Sequence, residues 1–496
     1  MFWIALAFAQ LPIEAHTCID LSDLAERPLA VMRQHRIVLC NEVAHRFGVR
    51  IDQQRSSALS LCPDLRILER DLQREAGLLE QAALALLRFT PHVTPVRSAD
   101  GVDGLLLEVQ GSLRLFGGVQ NLLHAVRYTA SELGLQSDIA TCPTATGAWL
   151  LSRSTQGAEH AQTLDALDRL PVDLLDAAQP HLDTLKGIGI ERFGALRALP
   201  RAGIVPRFGQ GVLDELDRAY GEAADAREWF RAPEQFEQRL ELAARVDSAE
   251  ALIFAGRRLL VLLVGWLSVR HAGITEFALR LDHETQRRPM PTQTLIVRLA
   301  EPTHDLEHLT LLLREHLART TLVAPILDIT LEARRHQLLD APRDDLFPTP
   351  GQQSQALVRL VERIGARLGA DAVRRIERVA DHRPEAAQQF VAVDDRSLSG
   401  APRTAAAPAR ATAPTPMRPT WLLREPMRLA MRDERPFLES ELQLLAGPER
   451  IESGWWTGPA VRDYFVAEND SAELLWIYRE RLKGGSEGWF LHGHFA

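Results

Sequence analysis

Lys186-Gly-Ile-Gly-Ile190 is the segment whose residue types and spacing most directly suggest chemistry. Two glycines one residue apart, set between helix-forming stretches, let the backbone turn tightly. They also point N–H groups outward, where these can hold a phosphate of a DNA backbone. The same spacing serves equally as a plain helix–helix turn, so both readings stand. Other chemistry is thinly supplied. The four cysteines, Cys18, Cys40, Cys62 and Cys142, form no CxxC pair. They therefore suggest neither a zinc site nor a disulfide framework, and they fit a reducing cytoplasm. No metal and no cofactor is expected. Of 57 basic residues only Lys186 and Lys483 are lysines, which leaves few candidates for chemistry that needs an amine.

The elements that must position these groups fill a chain of 496 residues with a net charge of −9. That length suggests about three domains or more. Hydrophobic content of 46% with 25% charged residues excludes wholesale disorder, and the net charge excludes an all-over basic coat. The apolar start lacks the positive flank of a signal peptide, and the later apolar stretch Leu259 to Leu267 is too short to span a bilayer. A membrane partner is not expected.

Trp3 to Ala9 reads as a buried strand, Leu105 to Val109 as a second and Ser137 to Thr141 as a third. Helical spacing runs from about Leu24 to Ala82 and again over Val119 to Gly134. This order predicts a small α/β or α+β sheet domain with a helical insertion. A helical region follows, from about Leu164 to Tyr220. Residues 236–339 then alternate again. Strands are predicted at Thr275–Leu281, Thr294–Leu299 and Ile326–Ala333, and helices at Ala249–Leu267 and Asp305–Ala318. Residues 396–420, rich in Ala, Pro, Thr and Arg, read as a disordered linker. Beyond it five of the nine tryptophans fall in residues 421–496, which read as a β-rich module with most of those rings in its core.

In order, Asn41, Ala44-His-Arg-Phe-Gly-Val-Arg50, Leu61-Cys-Pro-Asp-Leu65, Asp103-Gly104, Cys142-Pro143 and the Gly-x-Gly hairpin resemble the Y-family (translesion) DNA polymerases. Gly447-Pro-Glu-Arg-Ile-Glu-Ser-Gly-Trp-Trp456 with Arg462-Asp-Tyr464 narrows the resemblance to the ImuB-like branch, a polymerase-like accessory of bacterial mutagenesis cassettes. The resemblance implies a palm at 1–25 and 83–163, fingers at 26–82 and a helix-hairpin-helix thumb at 164–232. It further implies a little finger at 233–340, a clamp-peptide candidate with a helical extension at 341–395, and a C-terminal partner-binding module at 421–496.

Polymerase chemistry needs two Mg²⁺ held by clustered carboxylates. The family places one Asp on the first strand and an Asp-Glu pair at a later hairpin. Ala5 replaces the first and Gly104 the Glu, leaving a vestigial Asp103. Glu108, an odd number of residues further on, should face the other side of the sheet. Glu42 and His45 stand where a Tyr and an Arg would grip the triphosphate, and Thr144-Ala-Thr-Gly-Ala-Trp149 lacks the lysines usual there.

The resemblance thus implies an inactive polymerase homologue, an adaptor in error-prone translesion synthesis and SOS mutagenesis. Its expected partners are damaged primer-template DNA, the sliding clamp, an ImuA-type RecA-like protein and an error-prone C-family polymerase. DNA would be held by Lys186, Gly187, Ile188, Gly189 and Ile190. Arg343-Asp344-Asp345-Leu346-Phe347 resembles the clamp-docking peptide, with Arg343 in place of its Gln; an ordinary module-end turn is the other reading. Partner binding falls to Trp455, Trp456, Arg462, Asp463 and Tyr464. The alternatives are an active translesion polymerase with an altered metal site and a DNA-structure-binding protein that works without the clamp.

Overall fold

A computed structural model describes residues 1–16, 26–154, 164–283, 292–339, 351–393, 418–453, 460–481 and 488–495. It forms two compact units, Met1–Gln355 and Ala356–Ala496.

At the centre of the first unit lies β1 (Trp3–Phe8), whose six residues are all buried. It is flanked by β6 (Asp103–Glu108) and β7 (Asp138–Cys142), with β5 (Val93–Arg97) outside β6, and every pair is antiparallel. Facing partners in an antiparallel ladder share a side of the sheet. Ala5, Leu106 and Ala140 therefore lie on one face, and Leu6, Leu105 and Ile139 on the other. The Ala5 face packs on the helix Ala145–Ser152 and on the region 164–220, which closes a single core around Trp149 and Phe193. That region is less regular than expected. Three 3₁₀ turns precede short α-helices at Leu182–Gly187, Phe193–Arg197, Arg201–Phe208 and Gln210–Tyr220.

Residues 26–82 correct the sequence reading. β2 (Leu29–Arg33) and β3 (Arg36–Cys40) form a hairpin, and β4 (Arg66–Glu69) runs parallel to β2. The described helices here are α1 (Leu11–Glu14), which precedes this segment, α2 (Glu42–Arg46), α3 (Arg55–Leu61) and α4 (Leu72–Leu86). The hairpin turn is Gln34-His35, with φ of 50° and 66°. Two consecutive positive φ values suit a tight hairpin turn, yet the Gly or Asn that normally announces one is absent.

Residues 237–338 form the expected α+β module. Strands β8 (Glu237–Val246), β9 (Ala272–His283), β10 (Gln293–Thr303) and β11 (Ile326–Leu338) take the order β10-β9-β11-β8. The helices are Leu252–Ser268 and Leu306–Ala318. Strand β8 was not anticipated from the sequence. The helix Leu252–Ser268 also packs on α4, where a Cβ on Gly265 would lie 2.0 Å from the Leu84 carbonyl oxygen. Arg257 ties the same helix to Glu132 at 2.5 Å and to Glu307 at 2.8 Å.

The second unit holds an antiparallel sheet of β14 (Trp421–Arg428), β18 (Gln443–Ser453), β19 (Ala460–Glu468), β20 (Leu474–Glu480) and β21 (Trp489–His494), in the order β14-β21-β20-β19-β18. Short strands Ala430–Arg432, Arg435–Leu438 and Ser440–Glu441 (β15 to β17) lie between β14 and β18 in sequence. The same unit includes the hairpin of β12 (Arg374–Arg378) and β13 (Gln388–Ala392), so it begins well before the module expected at 421. Trp476 is buried as expected, whereas Trp421 is exposed. No helix among the described residues is long and apolar enough to cross a membrane.

Candidate functional site

The two substituted positions lie on one face of the central sheet. Ala7 pairs with Gly104 and Ala5 with Leu106, so Ala5, Ala7 and Gly104 all face the helix Ala145–Ser152. Ala5 is fully buried. A Cβ on Gly104 would stand 2.3 Å from both the Leu6 carbonyl oxygen and the Trp149 ring. Any side chain at 104 would collide with immovable backbone and with an indole held in the core. Tryptophan thus fills the space that a second carboxylate would need.

Asp103 pairs with Phe8 and points to the opposite face, where it is buried. Arg97 spans both of its oxygens, Nε to Oδ1 at 2.5 Å and Nη2 to Oδ2 at 2.9 Å. The bidentate guanidinium neutralises the carboxylate and occupies its lone pairs. Asp103 in turn raises the Arg97 pKa, chiefly through this hydrogen bond. Arg70 and Glu75 form a second buried pair nearby. Glu108 pairs with Trp3 and lies on the other face from Asp103, as the spacing implied. With one carboxylate left and that one committed to arginine, these residues do not fit a pair of divalent metal ions.

Of the two positions expected at the triphosphate grip, Glu42 is satisfied within its own helix, and residues beside it are similarly engaged. Asn41 caps α2 by accepting from the Ala44 N–H at 3.0 Å. Glu42, exposed, accepts from Arg46 one turn on at 2.5 Å, and that bond holds its carboxyl below the ordinary range. Arg50 donates to the carbonyls of His45 and Val49. Thr144 caps the following helix and donates to the Ala219 carbonyl at 2.6 Å, so its segment is turned into the core.

The hairpin at Lys186–Ile190 is where the sequence placed it, but its donors are spent differently. Ile188, Gly189 and Ile190 give their N–H groups to the carbonyls of Thr184, Lys186 and Leu185, closing the end of the preceding helix. Gly189 has φ +80°, which makes glycine the natural residue there. The expectation of free N–H groups in the Gly-x-Gly turn is therefore corrected. Ile190 anchors the turn in the core, and exposed Lys186 and Ile188 are what it offers outward.

Arg343, Asp344, Asp345, Leu346 and Phe347 lie outside the described residues, as do Trp455 and Trp456. Arg462 and Tyr464 share one face of β19 and Asp463 takes the other, all three as internal framework. Tyr464 is buried and stacks on Trp476 at 4.1 Å between centroids. Its hydroxyl lies 2.8 Å from His492 Nδ1 and accepts from Arg462 at 3.2 Å. Burial, the larger influence, pushes the Tyr464 pKa up. Asp463 joins Arg450 and Arg481, each at 2.8 Å. Arg462 also reaches Glu385 at 2.8 Å. Nothing in the sequence marked Glu385, because its partner lies 77 positions away.

Residues 12–153 match the model of the impB/mucB/samB family. The chain is 28% identical over 473 residues to Protein ImuB of Caulobacter vibrioides (strain NA1000 / CB15N), covering 90% of this chain and 99% of that protein. It is 26% identical over 215 residues to DNA polymerase IV of Shewanella denitrificans, covering 41% of this chain and 58% of that one. A solved structure described as the Dbh ternary complex matches 67% of this chain and 98% of its own at 15% identity, with a TM-score of 0.38. The sequence matches bear out the resemblance to the Y-family polymerases. Within that class, they bear out its ImuB-like branch.

Proposed function

We propose that this protein is a polymerase-shaped adaptor of DNA-damage tolerance that binds primer-template DNA without extending it. The observation that carries this reading is the pairing of Gly104 with Trp149: an indole fills the site of a metal-binding carboxylate. Buried Ala5 and the Asp103–Arg97 pair support it from both sides of the same sheet. The likeness to Protein ImuB along 90% of the chain supports a role in the response to DNA damage.

In this reading residues 1–25 and 83–163 serve as palm, 26–82 as fingers, 164–232 as thumb and 233–340 as little finger. DNA is held locally, through arginines and Lys186, since the chain as a whole is acidic. The second unit docks an ImuA-type RecA-like protein and an error-prone C-family polymerase, and Leu346-Phe347 engage the sliding clamp. Arg462, Asp463 and Tyr464 shape that unit rather than touch a partner. The setting is the cytoplasm.

Primer extension with purified protein and Mg²⁺ or Mn²⁺ tests the central claim, and no template-dependent incorporation is expected. Incorporation that Asp103→Ala abolishes would establish an active polymerase instead. For the clamp, recovery should fall in Leu346→Ala/Phe347→Ala while DNA affinity stays unchanged. Equal recovery removes the peptide from the proposal.

A further inference from the structure

A cleft of about 430 Å³ opens at the end of β1, lined by Gln10, Glu14, Asn41, Glu42, Arg46 and Gln136. The resemblance implies a triphosphate grip at Glu42, yet the charges here run the other way. The cleft holds two carboxylates and one guanidinium, and Arg46 is already taken by Glu42. Asn41 is spent as well: its Oδ1 accepts from the N–H groups of Leu29 and Ala44, and its Nδ2 donates to the Arg27 carbonyl.

Glu14 is different. It is 3% exposed, and its Oε1 accepts from the Gln136 N–H at 2.8 Å. Its Oε2, also buried, has no hydrogen-bond partner among the described residues. An unpaired carboxyl oxygen away from water is costly, and because Glu14 lines the cleft, a donor that entered far enough to reach Oε2 would relieve that cost. An anion finds no free cation here, because Arg46 is already paired with Glu42, and it is repelled once Glu14 ionises. A divalent metal would need several more oxygen ligands than one buried carboxylate supplies. A monovalent cation carrying several N–H groups satisfies both conditions, and a planar guanidinium does so with directed hydrogen bonds.

We propose that this cleft binds the guanidinium or ammonium group of an arginine or lysine side chain presented by a partner protein. The inference rests on the adaptor reading above. Burial, its largest influence, pushes the Glu14 pKa up to about 7, and the Gln136 hydrogen bond only partly offsets it. The charged groups facing Glu14 across the cleft are Glu42 and Arg46 on α2. His16, two residues on, lies near the Asp71 carboxylate. Cation binding therefore strengthens as Glu14 ionises.

The test is titration of N-acetyl-arginine methylamide into the full chain, followed by calorimetry at pH 6 and pH 8. The norleucine analogue and dATP with Mg²⁺ provide the comparison arms. Saturable binding in the millimolar range is expected, about tenfold tighter at pH 8, with none for norleucine. Glu14→Gln should weaken binding about tenfold at pH 8 and remove the pH dependence. Glu42→Gln should weaken it less and keep that dependence, which preserves the test if the first variant folds poorly. Absence of saturation, absence of pH dependence, or indifference to Glu14→Gln overturns the proposal. Failure with arginine, with no dATP binding and no primer extension, removes this inference alone. Competitive dATP binding removes the adaptor reading of the site with it.

Discussion

The Trp149 ring stands within 2.3 Å of where a Cβ on Gly104 would be, and the Leu6 carbonyl is equally close from the neighbouring strand. Glycine at 104 and tryptophan at 149 are thus one packing solution, not two separate substitutions. Restoring the carboxylate with Gly104→Glu should cost about 3 kcal/mol or more, because the backbone oxygen cannot yield. Urea denaturation checks this. Gly104→Ala should already lower the midpoint, and an unchanged midpoint would falsify the packing argument.

The Asp103–Arg97 pair should respond asymmetrically. Asp103 is buried while more than half of the Arg97 side chain reaches solvent. Arg97→Ala strands a buried carboxylate and should cost about 3 kcal/mol, whereas Asp103→Ala releases a guanidinium to water and should cost less. Comparing the two unfolding free energies decides it; equal costs would contradict the geometry.

Glu14 predicts a pH dependence of stability. Its folded pKa, about 7, lies above the ordinary glutamate value of 4.5. The folded state therefore holds a proton that the unfolded chain releases between those values. Its contribution is greatest below pH 4.5 and is lost as pH rises through 7. Glu14→Gln should be near neutral at pH 4.5 and stabilising by about 2–3 kcal/mol at pH 8. Chemical denaturation across that range gives the comparison.

In the second unit, Glu385 faces Arg462 across 2.8 Å, and little of the Arg462 side chain is exposed. Glu385→Ala should lower that unit's melting temperature, as should Arg462→Ala. A double-mutant cycle should return a coupling of about 1 kcal/mol or more. Additive effects would mean that the pair is incidental.

Lys186 is exposed at the hairpin, and its side chain is available to a phosphate. Lys186→Ala should weaken DNA binding evenly across sequences and reduce the slope of log K against log salt by about 1. Fluorescence anisotropy from 50 to 200 mM salt measures it. An unaltered slope removes Lys186 from the DNA contact.

The parts legible in the sequence were those with long-range periodicity or an interior run. The helix at 252–268, the strands of residues 272–338 and the central strand Trp3–Phe8 all fall close to where the spacing predicts them. The β2–β3 hairpin was missed because its strands have five residues each and its turn carries Gln34-His35. At the candidate site, the loss of carboxylates at 5 and 104 was readable residue by residue. The replacement of the second by Trp149, and the capture of Asp103 by Arg97, were not. Each depends on which side chain from another element packs against that sheet face, and no local pattern encodes that. The closed N–H groups at Ile188 to Ile190 were likewise invisible, since the same Gly-x-Gly spacing serves an open or a closed turn.

Gly265 against Leu84 has a consequence for how such chains can be recombined. Backbone touches backbone there, so the helix Leu252–Ser268 accepts only a partner whose contour leaves that notch. A chimera that exchanged residues 237–338 for those of a relative would have to bring a matching α4 surface with it. Inheritance of the two segments is thereby linked, although about 180 positions separate them.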